Sequence, residues 1–339
     1  VGSIAVLILW IVSTSFTVLW YDKHASRMGS KILPWSYIVN TGRYFNRMAM
    51  ENREQVLLPK ARFIAENSSK KDVVILVIGE AARADRFSAL GYARDTNVFT
   101  ADQNLVAFPI GLSCATNTIS STACILTHEG RGASSRTIFE PLPSYLKRQG
   151  IATIFRTNNS GPPPMDVDLY QTTAEILAGC TAVDCPKKGY DAVLNWQLSD
   201  LIRQTESNRV FVTLHQTGSH GPAYYNKYPP EFEYFKPVCK TVQIAKCSDE
   251  ELNNAYDNTI RYTDSLIADL ITQLERMTDV NATLIYVSDH GQSLGEDGYY
   301  LHGAPIAFAP VQQREIPFLV WMSDGFQQSR GLSAAAILM

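Results

Sequence analysis

Three stretches of this chain consist almost entirely of β-branched and apolar side chains, and each ends in groups able to bind a metal or a phosphate. VVILVIGE, residues 73–80, ends in Glu80; VFVTLHQTGSHG, 210–221, leads through His215 to His220; ATLIYVSDHG, 282–291, ends in Asp289 and His290. A run without polar alternation offers no face to water, so each reads as a strand buried on both sides, which calls for a parallel sheet covered by helices on each face. ATIFRTNNS at 152–160 and REIPFLVWMS at 314–323 read as further strands. Helical segments intervene at 140–150, with Pro near its start and Gly at its stop, and at 249–277, opening on Asp249. The expected fold is therefore α/β, a doubly wound, mostly parallel sheet, with ligands at the carboxyl ends of its strands.

With 339 residues, 45% of them apolar and 19% charged, the chain can bury one large core or two modest ones. A net charge of -3, with no basic patch or long like-charge run, argues against nucleic acid as a partner. Residues 1–20 carry no charge. As a helix they would reach about 30 Å, one hydrocarbon thickness, and they lack the basic start and cleavage site of a signal peptide. This segment reads as a transmembrane helix, the last of a membrane region of which the chain is a fragment. Residues 21–70 read as a linker. Within it, 32–50 mixes Trp35, Tyr37, Ile38, Tyr44, Phe45 and Met48 with basic residues, the pattern of an interfacial helix on the bilayer or equally of a helix packed on the soluble domain. The polar loop ENSSKKD at 66–72 leads into the compact domain, assigned to 71–339.

The six cysteines, at 114, 124, 180, 185, 239 and 247, fall into three close pairs. That spacing suggests local disulfides, with metal thiolates and free buried thiols as the alternatives, and disulfides imply an oxidising compartment. Lys23, Arg27, Lys31, Arg43 and Arg47, taken alone, would place the region after the helix on the cytoplasmic side. The cysteines weigh more, because the loops whose charges would have to be compared are not in the chain.

Four of the six histidines (His215, His220, His290, His302) lie in short motifs rich in Gly and small residues. Carboxylates and imidazoles together suit Zn²⁺ or a similar divalent ion, and the placement of Glu80 and Asp289 directly after apolar strands would bring both carboxylates to one sheet edge. Thr118 lies in a stretch dense in small hydroxyl residues, as expected where backbone approaches a phosphate; the plainer reading is a helix N-cap. His24 and His128 read as solvent-exposed, and His215 as a core or supporting histidine.

The segments IGEAARADRFSALGYARDTN, SCATNTISSTAC, LHQTGSHGPAY, NNAYDNTIRYTD and SDHGQSLGEDGYYLHGAPIAFAP, in this order, closely resemble the phosphoethanolamine transferases that modify lipid A. That group includes the mobile colistin-resistance enzymes and belongs to the alkaline phosphatase and sulfatase superfamily. The resemblance runs from about residue 20 to about residue 324; residues 325–339 align with nothing in the family, and its last helical segment is missing. It implies an alkaline phosphatase-like fold with Glu80, Asp289 and His290 as ligands of a catalytic zinc and Thr118 as the nucleophile that also contacts it. It further implies that His220 and His302 hold the phosphoethanolamine group or a second zinc, that Thr116 and Ser160 lie near the substrate, and that Cys114 pairs with Cys124, Cys180 with Cys185 and Cys239 with Cys247.

The implied reaction moves phosphoethanolamine from phosphatidylethanolamine to lipid A through a covalent threonine intermediate. The implied location is the bacterial inner membrane, with the catalytic domain in the periplasm. Inner-core sugars or periplasmic glucans are alternative acceptors; a hydrolase of the superfamily, or a zinc-binding scaffold without activity, are rival functions. Two departures stand out. Pro162-Pro163-Pro164 replaces a family lysine, and Gln292 stands where relatives often have Glu.

Overall fold

The computed structural model describes residues 55–63, 70–132, 139–178, 180 and 185–337, together with scattered positions between 37 and 48. The segment read as a transmembrane helix, 1–20, lies outside the described residues, and among those described no helix is long and apolar enough to cross a membrane. Within the stretch read as interfacial, positions 37, 38, 40–42, 44, 45 and 48 are helical, with Tyr37, Ile38, Tyr44 and Phe45 exposed.

The main elements are β1 (Lys71–Gly79), β2 (Val106–Ala107), α1 (Thr118–Leu126), α2 (Leu142–Arg148), β3 (Ala152–Thr157), β4 (Leu169–Thr172), α3 (Leu198–Gln204), β5 (Arg209–His215), α4 (Asp249–Glu275), β6 (Val280–Ser288), β7 (Ser293–Leu294), β8 (Tyr300–Leu301), β9 (Phe318–Met322) and α5 (Asp324–Arg330). Seven strands form one sheet in the order β2-β9-β6-β1-β5-β3-β4, while β7 and β8 pair separately. The three long apolar runs are its centre, β6, β1 and β5, all parallel. β3 and β4 continue the parallel set. The segment 314–323, expected as one more strand of a mostly parallel sheet, contributes only Phe318–Met322, and it runs antiparallel to β6. β2 pairs antiparallel with it in turn.

Strand β1 shows why its sequence admits no polar alternation. Successive side chains point to opposite faces. Val73, Ile75 and Val77 join one apolar cluster with α3 and α4, through Leu198, Ile202, Tyr256, Ile260 and Leu270. Leu76 and Ile78 join the other, with Leu126 of α1 and with Leu142 and Leu146 of α2 packed against it. Each face is thus sealed by helices, and burying one such side chain contributes about 1.5–3 kcal/mol.

Helix α4 begins where the sequence signals it: the Ser248 hydroxyl accepts from the Glu251 amide and the Glu251 carboxylate accepts from the Ser248 amide, a reciprocal capping box. Its buried residues are not all apolar. Asp257 accepts from Tyr92 Oη at 2.9 Å and Arg94 Nη1 at 2.6 Å, and Asp264 accepts from the Phe99 amide at 2.7 Å and Thr100 Oγ1 at 2.5 Å. The motif NNAYDNTIRYTD therefore fastens the loop that follows Glu80, a structural duty carried by buried carboxylates whose hydrogen bonds offset their desolvation.

Candidate metal and phosphoryl-transfer site

Parallel register assembles the site. Gly79 of β1 pairs with Ser288 of β6, so the next residues, Glu80 and Asp289, leave neighbouring strands side by side. On the other flank Ile78 pairs with His215 of β5, and Thr157 of β3 pairs with His215 in turn. Four adjacent strands thus deliver Asp289 and His290, Glu80, the 216–220 turn and Asn159 to one edge. The turn must pass very close to Glu80: Gly218 has φ +44°, and a Cβ there would lie 2.7 Å from Glu80 O and 2.9 Å from Glu80 N. Gly218→Ala is expected to destabilise the fold by about 1–3 kcal/mol through this overpacking, readable as a lower urea midpoint at unchanged slope.

The Glu80, Asp289 and His290 side chains are completely enclosed. His290 Nε2 lies 3.1 Å from Glu80 Oε1 and 3.4 Å from Asp289 Oδ2. All three atoms are buried without a hydrogen-bond partner. Their other ends are fixed: His290 Nδ1 faces Gly291 O at 2.8 Å, Asp289 Oδ1 accepts from the Ala81 and His290 amides at 3.1 and 2.7 Å, and Glu80 Oε2 accepts from Asn159 Nδ2 at 2.7 Å. Three inward-facing donor atoms, each oriented by a partner behind it, are the arrangement a divalent cation requires. Burial, reinforced by the Glu80 charge, pushes Asp289 up to about 8. Burial alone would raise Glu80 and lower His290, yet Glu80 is held well below the carboxylate range by His290, His220 and His302, and His290 rises to about 9 beside its two carboxylates. The cluster calls for positive charge, and the residues fit a metal ion.

Thr118 Oγ1 donates to Glu80 Oε2 at 3.0 Å. It is not the N-cap of α1: Asn117 holds that place, its side chain accepting from the Ser120 amide at 3.0 Å. Thr118 thus stands free for other roles on the first helical position.

A second group, Glu80, His220 and His302, also brings three possible ligand atoms together. The His220 and His302 rings lie 5.1 Å apart, and His302 lies 4.3 Å from His290. His302 Nδ1 faces Gln292 Oε1 at 2.7 Å, and Gln292 Nε2 donates to Tyr224 Oη at 2.6 Å. Gln292 therefore helps to orient His302.

Other expectations fare unevenly. Thr116 is buried and donates to Ala304 O at 2.5 Å, tying the threonine loop to the loop after His302. Ser160 is exposed, and it is its neighbour Asn159 that reaches Glu80. Asn159 was not among the expected site residues, since the resemblance singled out Ser160 beside it; its position after a parallel strand was the available signal. His215 is fully buried, as expected of a core histidine, and burial pushes it down to about 4. His128 is exposed, against the ring of Phe139. Asp191 was also missed: it accepts from the Thr217 and Gly218 amides at 2.9 and 2.8 Å and so shapes the turn before His220. The disulfides are Cys114–Cys124, Cys180–Cys185 and Cys239–Cys247. Cys114 therefore has no thiol to act as a sulfatase-type nucleophile.

A sulfatase-family profile matches residues 72–337, beyond the point near 324 where the motif resemblance ended. Among solved structures, the soluble domain of lipooligosaccharide phosphoethanolamine transferase A from Neisseria meningitidis superposes with a TM-score of 0.76 at 31% identity, over 85% of this chain and 87% of that one. The chain belongs to the phosphoethanolamine transferase family. The periplasmic domain of phosphoethanolamine transferase EptC from Campylobacter jejuni gives a TM-score of 0.69 at 36% identity, over 75% of this chain and 80% of that one. Phosphoethanolamine transferase EptA of Helicobacter pylori is 38% identical over 93% of this chain. The chain spans 59% of that family member's length.

Proposed function

We propose that this chain is the catalytic part of a zinc-dependent enzyme that transfers phosphoethanolamine from phosphatidylethanolamine to a lipid A phosphate. The observation that carries the reading is the Thr118 hydroxyl hydrogen-bonded to Glu80, beside three buried donor atoms that have no partner. Glu80, Asp289, His290 and Thr118 would hold the ion, which when bound favours ionisation of the threonine hydroxyl and draws charge from the phosphoryl oxygens.

The residues themselves account for the rest. Glu80 Oε2 accepts the Thr118 hydrogen bond and so orients the hydroxyl, leaving the lone pairs of the threonine oxygen for attack. That oxygen attacks phosphorus, the bond to the diacylglycerol oxygen breaks, and the proton lost by threonine ends on the released diacylglycerol. An acceptor phosphate oxygen then attacks the same phosphorus, the bond to the Thr118 oxygen breaks, and the proton of the acceptor phosphomonoester returns to the threonine hydroxyl. Positive charge at the start of α1, ahead of its first internal bond from Ser121 to Asn117, favours the negative phosphoryl group. His220 and His302 face the same space and would hold the phosphoethanolamine phosphate or a second ion. Disulfides and a lipid donor agree with a catalytic domain in the periplasm of a protein anchored in the inner membrane. Adding a primary amine to an anionic phosphate would weaken binding of cationic antimicrobial peptides.

Fluorescent lipid A incubated with phosphatidylethanolamine and this protein should gain phosphoethanolamine, and a chelator should stop the gain. Release of free phosphoethanolamine without transfer would instead mark a hydrolase. No turnover at all would leave a zinc-binding scaffold, and modification of core sugars or glucans in place of lipid A would move the acceptor.

A further inference from the structure

Asp191 stands at the start of the short helix Ala192–Asn195, where an aspartate ordinarily accepts from the amides of the first turn, yet its side chain makes no capping bond. The carboxylate is buried and engaged elsewhere. Oδ1 accepts from the Thr217 amide at 2.9 Å, from Thr217 Oγ1 at 3.0 Å and from Asn158 Nδ2 at 2.8 Å, and Oδ2 accepts from the Gly218 amide at 2.8 Å. All four donors are neutral. A carboxylate that forgoes its local partners for a turn 26 residues away breaks a local rule, and such breaks gather where a site has to be held.

The turn that Asp191 grips is the one that delivers His220. The His220 amide donates to Thr217 O at 3.1 Å, closing the turn, and the Ser219 amide donates to Glu80 O at 2.9 Å. Gly218 passes so close that a Cβ there would meet the Glu80 backbone. Held at Thr217 and Gly218 by Asp191 and at Ser219 by Glu80, the turn sets His220 so that its ligand atom lies within 4.8 Å of those of Glu80 and His302. Two successive amides turned toward one carboxylate cradle it as they would any anion.

We infer that Asp191 is a positioning residue of this site: by clamping the Thr217 and Gly218 amides it holds His220 opposite Glu80 and His302, and it acts on the substrate through His220. The effect on substrate rests on the transferase reading; the hold on His220 does not. Asparagine cannot replace it. Its terminal NH2 group would face either the Gly218 amide or the three donors on the other oxygen.

The test uses the full chain loaded with zinc, with Asp191→Asn and Asp191→Ala as two routes to losing the carboxylate. The chain has six histidines, few enough for each imidazole to be followed by NMR of histidine-labelled protein. In both variants the His220 signals should shift or broaden while those of His290 stay, and zinc should be retained, because Glu80, Asp289 and His290 keep their donor atoms. In steady-state transfer from phosphatidylethanolamine to lipid A, Asp191→Asn and His220→Ala should each raise KM by about tenfold, more than they lower kcat, as expected when one charge-assisted contact is lost. The double variant should be no worse than His220→Ala alone, since a residue that acts through another adds nothing once that other is gone. Unmoved His220 signals would overturn the assignment. So would additive effects in the double variant, a loss of zinc, or unfolding of both Asp191 variants, which would make Asp191 a residue of the fold alone. If the wild type transfers nothing, the spectroscopic arm still decides the role of Asp191 while the transferase reading fails on its own.

Discussion

Replacing Thr118 with alanine should lower transfer by on the order of 10⁴-fold or more without unfolding the protein. The first part follows from removing the oxygen that would carry the covalent intermediate, a loss that electrostatic assistance from neighbouring groups does not restore. The second follows from the capping geometry. Asn117, not Thr118, satisfies the Ser120 amide, so α1 keeps its cap, and the Cys114–Cys124 disulfide still ties the preceding loop to the helix. Thr118→Ser returns the hydroxyl without the methyl that restricts its rotamer and should recover part of the rate. Incubation of the wild type with phosphatidylethanolamine and no acceptor should leave phosphoethanolamine on Thr118, found by mass spectrometry of the peptide. Modification of Ser120 or Ser121 would disprove this assignment; Ser121 is already engaged, buried against Ala115 O.

The second large effect concerns the metal. Glu80→Ala, Asp289→Ala and His290→Ala should each reduce bound zinc by more than the roughly 10–100-fold typical of losing an orienting partner, and transfer should vanish with it. His302→Ala should retain the first ion, because His302 belongs to the group with Glu80 and His220 and supplies none of the three donor atoms of the Glu80, Asp289 and His290 cluster. Metal content by elemental mass spectrometry and transfer measured on the same samples separate the two classes. Equal zinc loss in all four variants would merge the two sites into one. Asn159→Ala offers a finer comparison: it removes the amide behind Glu80 Oε2, which also donates to Gln216 O, and leaves all three donor atoms in place, so its zinc loss should fall within the orienting-partner range.

The strand ends were readable in the sequence because parallel pairing leaves a chemical trace. Runs such as Val73–Ile78 are apolar at every position only when both faces are covered, and the placement of ligands at the carboxyl ends of parallel strands then brings Glu80 and Asp289 to one edge. Direction is a different matter. Phe318–Met322 is as apolar as its neighbours, yet it runs antiparallel, since composition records burial and not polarity of the chain. The polar residues of the site were legible in proportion to their rarity. Histidines stood out, whereas Asn159 and Asp191 resemble the turn-forming Asn and Asp of any surface loop, and only the fold shows Asn159 touching Glu80 and Asp191 gripping Gly218. Thr116 illustrates the converse, a hydroxyl placed near substrate by analogy whose hydrogen bond goes to a backbone carbonyl.

Glu80, Asp289 and His290 follow their strands with no loop between, whereas His220 and His302 arrive on excursions from the sheet. On the proposed reading, the part of the site that handles charge is thus inherited from the scaffold, and the part that would meet the substrate is borne by the segments between strands. A lineage could exchange one acceptor for another by rewriting those segments alone, keeping the same ligand set through every intermediate sequence and never passing through a form unable to hold its ion.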